Sequence, residues 1–504
     1  MTYLFNRLVF RNFIGVHVVR FSHKAEHWSV IRKKKTSMDK ALKHFDEFYG
    51  DVYGKSWQDI KTALLMEDHK YAAIVNTYSD MDRIKSELES QGAMNVKAIY
   101  ETYKEQIDTN PERVKRKKKT KTSARHHRVA SVVADAQRST VQSHYPEDHV
   151  TPTFVETEDE DKDTAQVNQP SQPVEMKSIE SNLNKIELDE TRIIEPNVGL
   201  GGMYEFVPAT KIKGMEDWIL ESQHYGYYKE GANFSVNVEE EAILTFPQYL
   251  NIYMFEEGND SKFPPPRKGS TGVLDYYLMD GASILPVLAL DLQPGDVVLD
   301  MCAAPGGKTL TILQTLMPST MVANDISKSR ADRIHKVINQ FLDDIGQWHD
   351  KLFVTQRDAR FITENDVYNK ILVDVPCTTD RHVLHSDENN IFKPQRIRER
   401  LQIPELQAEI LANALKIVAV GGTVVYSTCS LSPIQNDGVV GMALKKVWEE
   451  TNSIMFVKDM SQALKPLRCL YRFDDYRLKY GHIAVPTLDN NWGPMYFCKI
   501  IRTR

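Results

Sequence analysis

This sequence has few of the features that mark disulfide-rich, membrane-bound or strongly basic proteins. Its 504 residues include five cysteines, which lie far apart and never form a C-x-x-C pair, so their spacing predicts neither a disulfide framework nor a zinc site. No apolar run approaches the roughly 18 residues that a membrane-spanning helix needs. The net charge of -6 argues against a basic footprint over the whole chain, although a local basic patch is compatible with it.

The first 30 residues have the composition of a mitochondrial presequence. Basic residues lie among apolar ones, and no acidic residue precedes Glu26. The basic residues are Arg7, Arg11, Arg20 and Lys24. This pattern predicts import into the mitochondrial matrix, with cleavage near Phe21. An ordinary basic surface helix would have the same composition.

Three further segments precede the part of the chain that carries motifs. Residues 37–105 have apolar positions at helical spacing, which predicts a small helical region that packs on the core. Residues 110–195 contain "RVKRKKKTKTSARHHR" and "ETEDEDKD" among many Ser, Gln, Pro and Thr residues, which predicts a charged, mostly disordered linker. The basic run could contact RNA phosphates, although a solvated linker has the same composition. Residues 197–260 form an accessory segment to which the sequence assigns no fold.

Short β-rich runs alternate with amphipathic helices from about Asp275 onwards. The runs are "DVVLDM", "TMVAND", "KLFVTQ", "NKILVDV" and "GTVVYST". This alternation predicts an α/β fold with a doubly wound parallel sheet, which we assign to residues 262–504. In such a sheet ligands bind beyond the carboxyl ends of the strands, so the site residues should lie where strands give way to loops.

A glycine turn follows the first of these strands. Pro305, Gly306 and Gly307 open a helix there, so that backbone can approach a ligand and the helix N-terminus can offer N–H groups. The sequence "GGKT" resembles the end of a nucleotide P-loop, but that motif requires a glycine where Cys302 stands, so we reject it. Asp325 stands roughly twenty residues after the turn, where an acid is placed to bind ribose hydroxyls.

Acidic residues end three successive strands. They are Asp325, Asp358 and Asp374. A row of acids would repel phosphates but suits a cationic nucleoside without phosphates, and S-adenosylmethionine is one. Acids that merely cap loops would explain any single member of the row. With the glycine turn, the row predicts S-adenosylmethionine as the cofactor.

Two cysteines also follow strands. Cys377 comes after Pro376, which ends the fourth strand because proline cannot donate to the ladder, and Cys429 ends the fifth. A lone cysteine is more often a small core residue, but neighbouring strand ends would bring these two thiols together. Carbon 5 of a pyrimidine becomes nucleophilic enough for methylation only after a thiolate adds to carbon 6, and that thiolate must later leave. Two thiols suit these tasks of attack and release.

Four motifs occur in order along this region: "CAAPGGKT", "ANDIS", "VDVPCTTDR" and "YSTCSLSPIQN". In content, order and spacing they resemble the motifs of the Sun-domain (NOL/NOP/Sun) family of RNA cytosine-5 methyltransferases, from about Lys262 to the end of the chain. The resemblance implies a Rossmann-like methyltransferase fold. The segments "DRHVLHSDENNIFK" and "NWGPMYFCK" further resemble the branch of the family that modifies mitochondrial ribosomal RNA. The long charged insert departs from the family pattern.

The resemblance implies a role for each site residue. Cys429 would be the nucleophile, Cys377 would assist product release, and Asp374 would activate the cytosine through its N3/N4 edge. The implied cofactor contacts are Cys302, Ala303, Ala304, Pro305, Gly306, Gly307, Lys308, Asp325, Arg330, Asp358 and Asp374. DNA cytosine methyltransferases attack with a P-C cysteine instead, so the stretch around Cys377 alone favours the opposite assignment.

The function implied is methylation of a cytosine in mitochondrial small-subunit ribosomal RNA, with a role in mitochondrial ribosome assembly. The target base would have to leave its stack to reach the pocket. The family also implies a partner, a helical-repeat protein of the mitochondrial termination-factor family whose basic concave surface could hold RNA. Two alternatives stay open: an assembly factor whose essential role is not catalytic, and a transfer-RNA or DNA cytosine-5 methyltransferase with the same site. Rescue of ribosome assembly by a Cys429→Ala protein would distinguish the first alternative.

Overall fold

The computed structural model describes most of the chain outside one long insert. The described residues are 35–67, 70–109, 236–343, 345–473 and 478–504. The predicted presequence, the predicted charged linker and the first part of the accessory segment lie outside them. No described helix combines the length and the apolar character that crossing a membrane would require.

Two helices open the described chain and pack on the main core. Helix α1 (Ser37–Tyr53) begins at a capping box formed by Thr36 and Asp39, and α2 (Trp57–Leu65) follows after one 3-10 turn. The buried side chains of Phe45 and Trp57 belong to the same apolar cluster as the main sheet. These helices therefore form one body with the sheet that carries the predicted site.

A small four-stranded sheet follows α2. Its strands are β1 (Tyr71–Val75), β2 (Met94–Asn95), β4 (Ile252–Met254) and β5 (Tyr276–Asp280), and its helices are α3 (Met81–Ser90) and α4 (Val96–Thr109). The strand order is β2-β4-β1-β5, and every pairing is antiparallel. Helix α3 covers one face, where Leu88 packs with Tyr253. On the other face Ile74 and Met254 lie in the cluster that includes Tyr100 of α4 and the core of the main sheet.

The prediction of a small helical region over residues 37–105 is therefore wrong at β1 and β2. The run "YAAIV" is too short for its periodicity to separate a strand from a helical segment. Its partners in β4 and β5 lie beyond the long insert, so nothing near it in the sequence reveals the pairing.

Within the described residues, the main sheet has ten strands. The strands are β3 (Asn237–Glu240), β6 (Val297–Asp300), β7 (Thr320–Asn324), β8 (Leu352–Thr355), β9 (Tyr368–Asp374), β10 (Val418–Thr428), β11 (Met455–Asp459), β12 (Arg472–Phe473), β13 (His482–Val485) and β14 (Met495–Arg502). The helices in this part of the chain are α5 (Leu285–Ala289), α6 (Gly307–Leu313), α7 (Lys328–Phe341), α8 (Asp380–His385), α9 (Ile397–Ile417) and α10 (Val439–Glu450). The order is β12-β13-β14-β10-β9-β6-β7-β8, with β11 and β3 branching from β14. Strands β10, β9, β6, β7 and β8 are parallel, which confirms the predicted doubly wound, Rossmann-like fold.

The strand order reverses between β6 and β9. From β6 the chain proceeds outward through β7 to β8, then returns to β9 and proceeds the other way to β10. Crevices form at such a switch point, beyond the carboxyl ends of the strands. The ends of β6, β9 and β10 are therefore the place to look for a ligand site.

The accessory segment contributes a strand to each sheet. Strand β3 pairs with β11 of the main sheet, and β4 lies between β1 and β2 of the small sheet. Strand β5, which belongs to the region we assigned to the main domain, completes the small sheet. The two sheets thus share segments from both sides of the predicted boundary at residue 262.

Candidate active site

The loop after β6 is shaped by its two glycines. Gly306 has a φ of 106°, a left-handed conformation that other residues rarely adopt, and it caps α6. A Cβ on Gly307 would lie 3.0 Å from the Tyr277 hydroxyl. Burial raises the pKa of the Cys302 thiol in the same loop, which keeps it protonated and unreactive. The loop therefore supplies backbone to the crevice rather than a reactive side chain.

Asp300, at the end of β6, is a site residue that the sequence analysis missed. Its Oδ2 accepts a hydrogen bond of 2.7 Å from Thr309, whereas its buried Oδ1 has no partner. Burial raises the pKa of Asp300 to about 7. Its position at the first strand end, next to the glycine turn, was the signal that could have found it. Asp300 lines a cavity of about 230 Å³ together with Lys308 and Asp374.

Asp325 joins the end of β7 to the glycine loop. Its Oδ1 accepts from the Ser327 amide at 3.0 Å, and its Oδ2 lies 3.1 Å from Nε of Arg330. Arg330 also donates to the carbonyl of Ala304 at 3.2 Å. The pair therefore fixes the second strand end against the first.

Asp358, beyond β8, is held by Arg360. The guanidinium donates to both carboxylate oxygens, and its Nη2 lies 2.8 Å from Oδ2. These hydrogen bonds lower the pKa of Asp358. Arg360 also pairs with Glu409 of α9 at 3.1 Å, so it connects the third strand end to the helix that borders the crevice.

Asp374, the last residue of β9, is the acid that faces the crevice. Its Oδ1 accepts from the Ser427 hydroxyl at 2.7 Å, and its Oδ2 lies 2.6 Å from Nζ of Lys308. Burial lowers the pKa of Lys308, but the Asp374 carboxylate outweighs it and the net pKa is raised. The Asp374 side chain keeps 29% of its surface exposed. It is thus oriented by two protein contacts while still reachable by a ligand.

These contacts change the electrostatic interpretation of the acid row. Each of the three acids is paired with a cation: Asp325 with Arg330, Asp358 with Arg360, and Asp374 with Lys308. The row of three acids is therefore charge-balanced rather than strongly negative. A ligand would be selected by hydrogen-bonding geometry more than by the net charge of the crevice.

The two predicted thiols meet beyond the ends of β9 and β10. These neighbouring strands run parallel with Asp374 opposite Ser427, so Cys377 and Cys429 leave the sheet side by side. Their Sγ atoms lie 3.1 Å apart, within hydrogen-bonding distance. The hydrogen bond to Cys377, together with burial and nearby negative charge, raises the pKa of Cys429. Cys429 is therefore a protonated thiol at rest, and its attack must be coupled to loss of that proton.

Two larger cavities meet at Cys429. One, of about 820 Å³, runs from the glycine loop past Lys308 and Asp374 to both cysteines. The other, of about 640 Å³, continues on the side of α8 and β14. The residues that line both are Ser283, Thr379, Cys429 and Met495. Cys429 is thus reachable from two connected cavities, large enough together for a cofactor and a nucleotide.

The structure brings all the predicted site residues to one edge of the sheet. The side chains of Lys308, Arg330, Asp374, Cys377 and Cys429 line the largest of these cavities. Cys302, Gly306, Asp325 and Asp358 line none of the three cavities. Asp325 and Asp358 each pair with an arginine that does line the largest of them, Arg330 and Arg360 respectively.

Comparison of the sequence with known proteins identifies the family of this chain. The family described as "16S rRNA methyltransferase RsmB/F" matches residues 287–466, which include both cysteines and the glycine loop. The "5-cytosine rRNA methyltransferase NSUN4" of Mus musculus is 48% identical over 255 residues, 50% of this chain and 67% of that protein. The mitochondrial "tRNA (cytosine(34)-C(5))-methyltransferase" of Danio rerio is 36% identical over 47% of this chain and 63% of that protein. The "5-cytosine rRNA methyltransferase nsun-4" of Caenorhabditis elegans is 33% identical over 93% of this chain and 92% of its own length. Because that similarity spans nearly the whole of both chains, this protein belongs to the Sun-domain family of RNA cytosine-5 methyltransferases.

Proposed function

We propose that this protein methylates carbon 5 of a cytosine in the ribosomal RNA of the mitochondrial small subunit and thereby contributes to assembly of that subunit. The observation that carries the chemistry is the pair of free thiols 3.1 Å apart, next to an oriented Asp374 carboxylate. The observation that favours ribosomal RNA is similarity over nearly the full length to a ribosomal-RNA enzyme. Similarity to the transfer-RNA enzyme is lower than that to the mouse ribosomal-RNA enzyme and covers less of the chain.

S-adenosylmethionine is the cofactor of this family, and the residues at the first strand end fit it. Its α-ammonium group is a cationic donor, and the unpartnered Oδ1 of Asp300 is a buried acceptor beside the glycine loop. Asp325 uses two of the roughly four acceptor positions of a carboxylate, which leaves capacity for ribose hydroxyls. When bound, the cofactor supplies the electrophilic methyl group. We assign the Cys302 to Lys308 loop, Arg330, Asp358 and Asp374 to the same binding site.

Cys429 is the proposed nucleophile. Its Sγ bonds to carbon 6 of the cytosine while the thiol proton passes to solvent in the crevice, and the electron pair displaced from the C5–C6 double bond makes carbon 5 nucleophilic. Asp374 would accept a hydrogen bond from the N3/N4 edge of the ring and favour its protonated form. Ser427 and Lys308 hold that carboxylate in place, so it needs little reorganisation when the base enters.

Cys377 is the proposed release group. After the methyl group has reached carbon 5, the proton on that carbon must leave so that the electron pair reforms the double bond and expels the Cys429 thiolate. Carbon 5 is bonded to carbon 6, which carries Sγ of Cys429, and Sγ of Cys377 lies only 3.1 Å from that sulfur at rest. A Cys377 thiolate can therefore reach the proton and remove it.

The second cavity is the place we propose for the target nucleotide. Thr379, Arg381, His382 and His385 line it on the side of α8, and Pro494 and Met495 on the side of β14. It shares Ser283, Thr379, Cys429 and Met495 with the largest cavity, which extends to the glycine loop. A splayed base entering from this side would present carbon 6 to Cys429 and its exocyclic edge to Asp374.

Asp325→Ala is expected to weaken S-adenosylmethionine binding by roughly 1 to 3 kcal/mol, because a ribose hydroxyl would lose its acceptor. Isothermal titration calorimetry measures this directly. Asp332→Ala, at an exposed position of α7 close to Arg330, is the matched control and should bind as the wild type does. Unchanged affinity in a folded Asp325→Ala protein would remove Asp325 from the ribose role.

Residues 1 to about 30 are expected to direct a fluorescent reporter to mitochondria, since their composition is basic and no acidic residue precedes Glu26. Microscopy of the fusion checks this. Substituting Arg7, Arg11 and Arg20 by glutamine should leave the reporter in the cytosol. Nuclear accumulation of the unmodified fusion would overturn the proposed localisation in the matrix.

A separate RNA-holding partner is also part of the proposal. The described small sheet offers no open face for stacking bases, because α3 covers one side and α4 with the main core covers the other. The net charge of -6 likewise provides no general attraction to RNA. Both observations support a partner with a basic concave surface, as the family resemblance implied.

Bisulfite sequencing of mitochondrial RNA tests the function as a whole. Depletion of the protein should make one cytosine in the small-subunit ribosomal RNA susceptible to bisulfite conversion. Re-expression should restore the protection of that cytosine from conversion. Loss of protection in transfer RNA alone would replace the ribosomal substrate by the transfer-RNA alternative. Unchanged protection in both RNA classes would contradict the proposal.

A further inference from the structure

A fully buried carboxylate lies between the two thiol loops and takes no part in the chemistry proposed above. Asp380, the first residue of α8, has no exposed surface. A buried carboxylate is stable only with several hydrogen-bond donors around it. Four residues donate to it: Thr378 (Oγ1–Oδ1, 2.5 Å), Leu431 (N–Oδ2, 2.6 Å), Tyr49 (Oη–Oδ2, 2.8 Å) and Ser430 (Oγ–Oδ2, 3.2 Å).

Two of these donors directly follow the two cysteines in the chain. Thr378 follows Cys377, and Ser430 follows Cys429. Their hydroxyl oxygens also lie 3.0 Å apart. One carboxylate therefore links the residue after the first thiol to the residue after the second.

The sheet itself does not hold the thiols at this spacing. The parallel ladder between β9 and β10 ends at Asp374 and Ser427, with one further bond from the Val375 amide to the Ser427 carbonyl at 3.2 Å. Both cysteines lie beyond that bond. The distance between them therefore depends on contacts among the loops, and those of Asp380 are buried and short.

The fourth donor comes from the N-terminal helix. Tyr49 of α1 is 1% exposed, and its hydroxyl reaches Asp380 across 331 residues of sequence. One turn further along α1, the Tyr53 hydroxyl donates to the Leu431 carbonyl at 2.7 Å. Helix α1 therefore contacts both Asp380 and the loop of Cys429.

We propose that Asp380 is a positioning residue that sets the separation of Cys377 and Cys429, and that Tyr49 makes helix α1 part of this support. The role rests on the proposed function, because only a two-thiol reaction needs that separation. An amide at position 380 would present an NH2 group to donors that now face an oxygen. A phenylalanine at position 49 would remove one donor and leave the helix packing unchanged.

Asp380→Asn and Tyr49→Phe test the role by steady-state kinetics. We expect kcat to fall roughly tenfold to hundredfold, the scale for misplacing a reacting group by about an ångström. The affinity for S-adenosylmethionine should stay within about twofold, because neither residue lines the cavity beside the glycine loop. Tyr253→Phe is the matched control. It removes another buried tyrosine hydroxyl that donates to a carboxylate, at 2.7 Å to Glu89, but in the small sheet.

A second readout measures thiol spacing without RNA or cofactor. Diamide oxidises two adjacent thiols to a disulfide and is itself reduced to a hydrazine, and mass spectrometry of the linked peptides follows the rate. Wild type and Tyr253→Phe should form the Cys377–Cys429 disulfide equally fast, and Tyr49→Phe and Asp380→Asn several times more slowly. Equal rates in all four folded proteins, or an unchanged kcat in both variants, would overturn the positioning role.

The two proposals fail in different ways. If the wild-type protein methylates no RNA, the proposed function fails, while the oxidation rates still decide whether Asp380 sets the thiol spacing. If Asp380→Asn does not fold, Tyr49→Phe carries the same test, because it retains three of the four donors to Asp380.

Discussion

Replacing Cys429 by alanine will abolish both covalent capture of RNA and methyl transfer, whereas replacing Cys377 will leave the protein trapped on its substrate. Without Cys429 no sulfur adds to carbon 6, so carbon 5 never becomes nucleophilic. Without Cys377 the attack still occurs, because the hydrogen bond to Cys377 is the largest of the effects that raise the pKa of Cys429. Its loss eases departure of the thiol proton. The methylated adduct then persists, because no base removes the proton from carbon 5.

A denaturing gel distinguishes the two variants. Each protein is incubated with substrate RNA, S-adenosylmethionine and any required partner, and a slow band that disappears with ribonuclease reports the adduct. The band should be strong with Cys377→Ala and missing with Cys429→Ala. Cys469→Ala is the matched control, since burial raises the pKa of that thiol to about 11 and it lines none of the three cavities. The reverse pattern would make Cys377 the nucleophile.

Replacing Asp374 by asparagine should lower kcat by roughly 10²- to 10⁴-fold at saturating cofactor, the range for removing a general acid–base group. Asparagine keeps the shape, but it cannot accept from the cytosine edge with a full negative charge. It also removes the ion pair that raises the pKa of Lys308. Cofactor affinity should change far less than kcat, because Asp374 is one of many proposed contacts.

Rapid-quench measurement of a single turnover separates these effects from product release. Asp366→Asn is the matched control, because Asp366 is an exposed acid just before β9, at the opposite end of the strand from Asp374, and it pairs with Arg502 on the surface. It should react at the wild-type rate. A single-turnover rate for Asp374→Asn within about threefold of wild type would exclude the activating role.

Local patterns in the sequence predict where the reactive residues lie. Strand and helix periodicities are local, so they predicted the parallel sheet and, with it, the carboxyl edge on which Asp374, Cys377 and Cys429 meet. The two thiols are 52 residues apart in the chain, yet neighbouring parallel strands bring them to 3.1 Å. The glycine turn could also be predicted, because its conformation depends on adjacent residues.

The cation partner of each acid depends on long-range packing, which the sequence patterns do not report. Lys308 and Asp374 lie 66 residues apart, and no local pattern identifies the lysine as the partner that balances the carboxylate. The unpartnered oxygen of Asp300 likewise depends on burial by surrounding segments. The row of acids therefore predicted the correct edge of the sheet, but it did not predict the cations that balance the acids.

The N-terminal region shows the same division. Its helices α1 and α2 follow from amphipathic spacing, but β1 was missed because its partners β4 and β5 lie beyond the long insert. The contact of Tyr49 with Asp380 spans 331 residues. Periodicity reports only which face of an element is buried. Strand pairing and buried hydrogen bonds depend on which distant segment packs against that face.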